Sequence, residues 1–189
     1  MKKVIFLALV VVFSTSIFSQ NVGFSVTRDG LRDINDETKD YIVINVENAT
    51  AKELYDRAVK YVQEVYKSPD NVIKGNTQGE YLRIHTFASD FMRYNNSGAK
   101  ISIDAEYYIE LRFKDEKVRY EIVNLTMKGK NSSYEVKFSG GLMSGYVIYK
   151  NNGDLFKKEA KIDVENYFNG QVSSLLLYLD NNNKTKDDW

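Results

Sequence analysis

His85 is the only histidine in this chain of 189 residues, and an imidazole is the side chain best suited to acid–base work near neutral pH. It falls within Glu80 to Ala88, where Tyr81, Arg83, His85 and Phe87 alternate with Leu82, Ile84, Thr86 and Ala88. General-base catalysis needs a hydrogen-bonded partner and a positioned reactant. No serine or cysteine nucleophile signature lies nearby, so His85 reads as a strand histidine without catalytic duty; an envelope hydrolase using His85 and a carboxylate is the weakest reading kept. Asp104, Glu106 and Glu110 line one side of a single strand. Residues two apart on a strand stand roughly 7 Å apart at the backbone, so these oxygens do not converge and the row reads as a solvated face. Asp33, Asp36, Glu37 and the pair Asp187-Asp188 lack the spacing and central glycine of a calcium loop. Gly140-Gly141-Leu142-Met143-Ser144-Gly145 is glycine-rich, yet no Gly-Lys-Ser/Thr follows and no strand–loop–helix frame surrounds it. It reads as a hairpin tip or flap, with Leu142 and Met143 free to touch a partner or a membrane. The expectation is a protein that is not an enzyme and holds no metal and no cofactor.

What remains is a surface. If Leu82 and Ile84 face the interior, Tyr81, Arg83, His85 and Phe87 face away from it, with Tyr108, Val123, Leu125 and Met127 as further members. Aromatic and apolar positions carrying one Arg and one His have the composition of a recognition patch. The candidate binding residues are therefore Tyr81, Arg83, His85, Phe87, Tyr108 and Leu125. The competing reading has the Tyr134 to Tyr149 segment folding over them and completing the core.

These residues must be positioned by a hairpin. From Lys100 to Lys128, Ile101, Ile103, Ala105, Tyr107, Ile109, Leu111 and Phe113 alternate with polar residues, a period of two. Closing the chain over Lys114 to Lys117 sets Phe113 opposite Val118, Leu111 opposite Tyr120 and Ile109 opposite Ile122. The same register opposes Arg112 to Arg119 and Glu110 to Glu121, with diagonal relief from Glu110–Arg119 and Arg112–Glu121 pairs. After Ile122 the apolar phase slips to Val123, Leu125 and Met127, which calls for a bulge or a second covered face.

Thr50-Ala51-Lys52-Glu53 is a capping box that opens a helix. Leu54, Tyr55, Ala58, Val59, Val62, Val65 and Tyr66 follow at helical spacing until Ser68-Pro69 stops it. Tyr41 to Val46 is a short, largely apolar strand, read as central or covered on both faces. Val72 to Gly75 is another short strand, and Ser89 to Ala99 reads as a mobile loop. Beyond Gly129, residues 130–157 read as an extra hairpin or flap. Val164, Phe168, Val172, Leu175, Leu176 and Leu179 mark a C-terminal helix over Lys158 to Leu179, which Asn169-Gly170 can kink or split.

Met1-Lys2-Lys3, the apolar run Val4 to Phe13 and the small residues to Ser19 form an export signal too short to span a bilayer. Residues 1–20 are the expected signal peptide, 21–40 an extended lead-in, 41–180 one α+β domain, and 181–189 a polar tail. The 26 basic and 26 acidic residues become 24 and 26 once Lys2 and Lys3 are removed, a net charge of −2. Such a surface gives no electrostatic reason to bind nucleic acid. The chain has no cysteine, which rules out disulfides, thiolate metal sites and lipobox acylation.

Strand, capped helix, four antiparallel strands and final helix is the order of TBP-like, helix-grip α+β folds, with the helices on one face of the sheet. With Glu53-Leu54-Tyr55 in the helix, Val72-Ile73-Lys74-Gly75 in the next strand and the export signal, residues 41–128 resemble a family of exported bacterial domains of unknown function with a TBP-like fold. The resemblance implies a bacterium with an outer membrane and residence in the periplasm, in the envelope or outside the cell. It carries over no catalytic residues. The reading is an exported, non-catalytic binding or envelope-assembly module with no membrane span after signal cleavage. Its partner would be a protein or a small molecule, or a second copy of the chain. The alternative is a carrier of a small apolar ligand in a cavity between the sheet and the C-terminal helix.

Overall fold

The computed structural model describes residues 21–130, 134–141 and 145–181. The expected export signal at residues 1–20, the Leu142-Met143 tip and residues 182–189 of the expected tail lie outside the described residues.

The capping box forms. The Thr50 hydroxyl accepts from the Glu53 N–H, and the Glu53 carboxylate accepts from the Thr50 N–H, opening α1 (Ala51–Val65). Leu54, Tyr55, Ala58 and Val62 are its buried face. A short α2 (Pro69–Val72) follows. The strands are β1 (Phe24–Thr27), β2 (Gly30–Asp33), β3 (Tyr41–Asn45), β4 (Ile73–Thr77), β5 (Tyr81–Asn96), β6 (Ala99–Lys114), β7 (Lys117–Gly129), β8 (Glu135–Gly140) and β9 (Tyr146–Lys150), and α3 (Lys158–Asn181) closes the fold. The expected order is present as β3, α1, β4 to β7 and α3. Seven strands, β3 to β9, form one sheet. α1 and α3 pack side by side against one face of it, as an α+β layer architecture requires.

The long hairpin has the expected register, with Phe113 opposite Val118, Leu111 opposite Tyr120 and Ile109 opposite Ile122. Its turn is Asp115-Glu116, and Glu116 adopts a positive φ of 61°. The Asp115 carboxylate accepts from the Ala51 N–H, so the hairpin tip also caps α1. The phase slip is a bulge. Tyr108 faces Val123 and Glu106 faces Thr126, which leaves Asn124 (φ 54°) and Leu125 opposite Tyr107.

Five features depart from the sequence expectations. The reading of Ser89 to Ala99 as a mobile loop is corrected: β5 runs on to Asn96 and turns tightly at Ser97-Gly98, both at positive φ, as a two-residue hairpin turn demands. A second bulge between Ala88 and Met92, with Asp90 at φ 53°, interrupts the alternation and makes a strand look like a loop. Residues 21–40 are not a plain lead-in. β1 and β2 pair as a hairpin that buries Phe24 and Val26, and Asn169, Glu165 and Lys161 of α3 hydrogen-bond the β1 backbone. β8 and β9 run parallel to one another, with β8 antiparallel to β7, so these two strands do not form the expected extra hairpin. β3 pairs with β7 alone; Ile42 and Ile44 are buried, whereas Val43 is exposed on the other side. α3 continues through Asn169-Gly170 as one helix and buries Val164, Phe168, Val172, Leu175 and Leu179.

Candidate functional site

Cross-strand pairing assembles the candidate residues. On the sheet face opposite the helices, Tyr81 lies beside Arg112, Arg83 beside Glu110, His85 beside Tyr108 and Phe87 beside Glu106. Five of the six candidates, Tyr81, Arg83, His85, Phe87 and Tyr108, therefore share one surface, and Phe87 is 63% exposed. Leu125 is a correction. The bulge at Asn124 turns it to the helix side, where it lines a depression with Leu31, Ile122 and Phe138. Met127 also points inward, opposite Ala105 and Val136, and is buried. Val123, opposite Tyr108, stays on the outer face. Among the described residues, the Tyr134 to Tyr149 segment does not cover this face: β8 and β9 continue the sheet beyond β7. β9 turns toward the helix side at the end of β5, where the buried Tyr94 hydroxyl bonds both polar main-chain groups of Val147.

Stacking and ion pairing organise the face. The Arg83 guanidinium lies 4.3 Å from the Tyr108 ring centre. His85 packs on the same tyrosine at 4.8 Å, and its Nε2 meets Glu106 Oε1 at 2.8 Å. Glu110 sits between Arg83 and Arg112, at 3.6 and 3.7 Å. Partial burial, and then the neighbouring Glu110 carboxylate, raise the Tyr81 hydroxyl above its ordinary pKa. The expected diagonal pairs, Glu110–Arg119 and Arg112–Glu121, give way to pairs within each strand, Arg112–Glu110 and Arg119–Glu121. The physical cause lies in the flanking strands. Arg112 and Arg119 oppose each other directly, and each leans outward onto a tyrosine of the next strand: Arg112 onto Tyr81 at 5.1 Å, Arg119 onto Tyr41 at 3.8 Å.

The carboxylates of β6 have separate duties. Asp104 accepts from the Asp90 N–H at the β5 bulge, Glu106 holds His85, and Glu110 holds the two arginines. Among the described residues no group of three or more His, Asp or Glu side chains is placed to hold a metal ion. His85 and Glu106 are an oriented imidazole–carboxylate pair, but the ring is stacked on Tyr108 rather than aimed at a hydroxyl.

One feature escapes the sequence reading. Arg112, Lys114, Lys117 and Arg119 surround a depression of about 380 Å³ floored by Tyr41 and Val43. The signal was the like-charge pairing of Arg112 with Arg119 and of Lys114 with Lys117 across the hairpin. In a chain of zero net charge, the turn end of this face is thus basic and the Phe87–Glu106 end apolar and acidic.

Residues 41–128 match a family described as a domain of unknown function (DUF4468) with a TBP-like fold. Among solved structures, the chain is similar to a DUF4468 family protein from Bacteroides ovatus, at 10% identity and a TM-score of 0.51, over 74% of this chain and 84% of that one. It is also similar to a TBP-like protein from Parabacteroides distasonis, at 14% identity and a TM-score of 0.49, over 74% of this chain and 90% of that one. No curated protein matches the sequence. At 10% identity the likeness to the Bacteroides ovatus protein is one of fold alone.

Proposed function

We propose that this chain, whose residues 41–128 are a DUF4468 domain with a TBP-like fold, is an exported, non-catalytic module that binds a protein through the open face of its sheet. Export rests on the basic start and apolar run of residues 1–20. Among the described residues no helix is long and apolar enough to cross a membrane.

The observation that carries the binding role is the outer face itself. Tyr41, Tyr81 and Tyr108 each carry an arginine on their ring, and the row ends at exposed Phe87. Tyrosine, arginine and phenylalanine are enriched where protein interfaces concentrate their energy. The matching partner presents a carboxylate to the Arg112–Arg119 end and an apolar side chain to Phe87. Glu106, Glu110 and Glu121, interleaved with the cations, disfavour a continuous phosphate backbone.

A photo-crosslinking residue at position 87, introduced in the native cell, is expected to yield one discrete protein adduct that Lys117→Glu abolishes. Sedimentation of the purified protein with and without Phe87→Asp tests whether that partner is a second copy. Circular dichroism of Phe87→Asp should be unchanged, since the ring is exposed. Absence of any specific adduct, or an unfolded Phe87→Asp protein, would refute the reading.

A further inference from the structure

We propose that the cavity between α1, α3 and the sheet is a binding site for a small, uncharged, mainly apolar molecule bearing one hydroxyl or carbonyl group, recognised by the hydroxyl of Tyr120. The cavity is open at one side and has a volume of about 260 Å³, just below the usual range of ligand pockets and several times the volume of one water. Its floor is the inner sheet face at Ile84, Ile109 and Leu111, and no ionised side chain is among the described residues that line it. A charged ligand would be left uncompensated there.

The observation that points to a ligand is Tyr120. Its side chain is 1% exposed, yet its hydroxyl has no hydrogen-bond partner among the described residues. The other tyrosine hydroxyls here are paired: Tyr66 with Thr86 at 3.1 Å, Tyr107 with Tyr167 at 3.0 Å and with Gln171 at 2.7 Å, and Tyr61 with Ser174 at 3.2 Å. Buried polar groups in folded proteins are nearly always satisfied, so an orphan hydroxyl on a cavity wall marks where a partner belongs. Burial pushes the Tyr120 hydroxyl well above its ordinary pKa, so it stays protonated and able to donate.

Gly170 is one of the exposed residues among those that line the cavity. Glycine inside a helix is unfavourable, yet α3 keeps one at the cavity rim, exposed to solvent. A Cβ there would meet nothing within 4 Å. No close packing demands the glycine, so a larger side chain fits there without a clash. The site lies on the side of the sheet opposite the proposed protein-binding face and does not depend on it.

The intact protein is titrated with p-cresol and, separately, with toluene, its analogue without the hydroxyl, by methyl NMR at Ile84, Ile109 and Leu111. Saturable shifts are expected with both, with p-cresol at least tenfold tighter. Tyr120→Phe should erase that preference while leaving toluene binding unchanged, and Gly170→Leu, which fills the mouth from an exposed position, should weaken both at least tenfold. No saturable shift with either probe, or a p-cresol preference that survives Tyr120→Phe, would overturn the proposal. So would a Tyr120→Phe protein that loses thermal stability with no change in the binding ratio, because the hydroxyl would then be satisfied by internal water.

Discussion

The side-chain amide of Asn169 pairs with both main-chain polar groups of Phe24: Oδ1 accepts from the Phe24 N–H at 2.7 Å, and Nδ2 donates to the Phe24 carbonyl at 3.0 Å. A helix side chain thereby takes the place of a neighbouring strand. Glu165 continues the substitution by accepting from the Val26 N–H at 2.8 Å. Gly23 allows the approach, since a Cβ there would stand 2.8 Å from Asn169 Oδ1.

Asn169→Leu should therefore cost about 2 kcal/mol of stability in urea unfolding, the cost of leaving half-buried main-chain groups unpaired. Amide exchange should accelerate at Phe24 and Val26 while β6 stays protected. Unaltered exchange at both would mean that the burial of Phe24 and Val26 alone holds the hairpin.

Asn124 decides which side of the sheet Leu125 occupies. Its φ of 54° lies in the left-handed region, which Asn and Gly tolerate and β-branched residues do not. Asn124→Val is expected to destabilise by about 1–2 kcal/mol, and Asn124→Gly to be neutral within about 0.5 kcal/mol. Matched urea midpoints for the two variants would show that the bulge is not under this constraint.

Alkali should unfold the protein through its buried tyrosines. Tyr107 and Tyr120 are 0% and 1% exposed, and burial holds both hydroxyls above their ordinary pKa, with Tyr167 adding to the effect at Tyr107. In the unfolded chain these groups ionise near pH 10, so above that pH the native state binds more protons. Stability is fully present below the unfolded value and falls as pH rises toward the native one, by up to about 1.4 kcal/mol per pH unit for each tyrosine. Tyrosinate absorbance followed alongside circular dichroism should show these two ionising only as the fold is lost. Complete ionisation of all 14 tyrosines before any change in dichroism would contradict this.

The outer face was half legible in the alternation of β5. A period of two assigns Tyr81, Arg83, His85 and Phe87 to one side, and the β6 pattern adds Tyr108. The same rule misplaces Leu125, because one extra residue at Asn124 inverts every assignment after it. The cationic end was present as like-charge pairs across the hairpin, but nothing in β6 or β7 alone says that Tyr41 and Tyr81 will draw Arg119 and Arg112 apart.

What the chain determines by itself is local: the capping box at Thr50 and Glu53, the apolar stripes of α1 and α3, and the register of the β6–β7 hairpin down to Ile109 and Ile122. Each follows from neighbours a few residues apart, or from two strands joined by a short turn. The tertiary structure alone decides the docking of β1 on α3, the parallel pairing of β8 with β9, the inward turn of Leu125 and the orphan hydroxyl of Tyr120. Those depend on which main-chain and hydroxyl groups are left unpaired once the sheet and helices have packed, a quantity that exists only after distant segments meet.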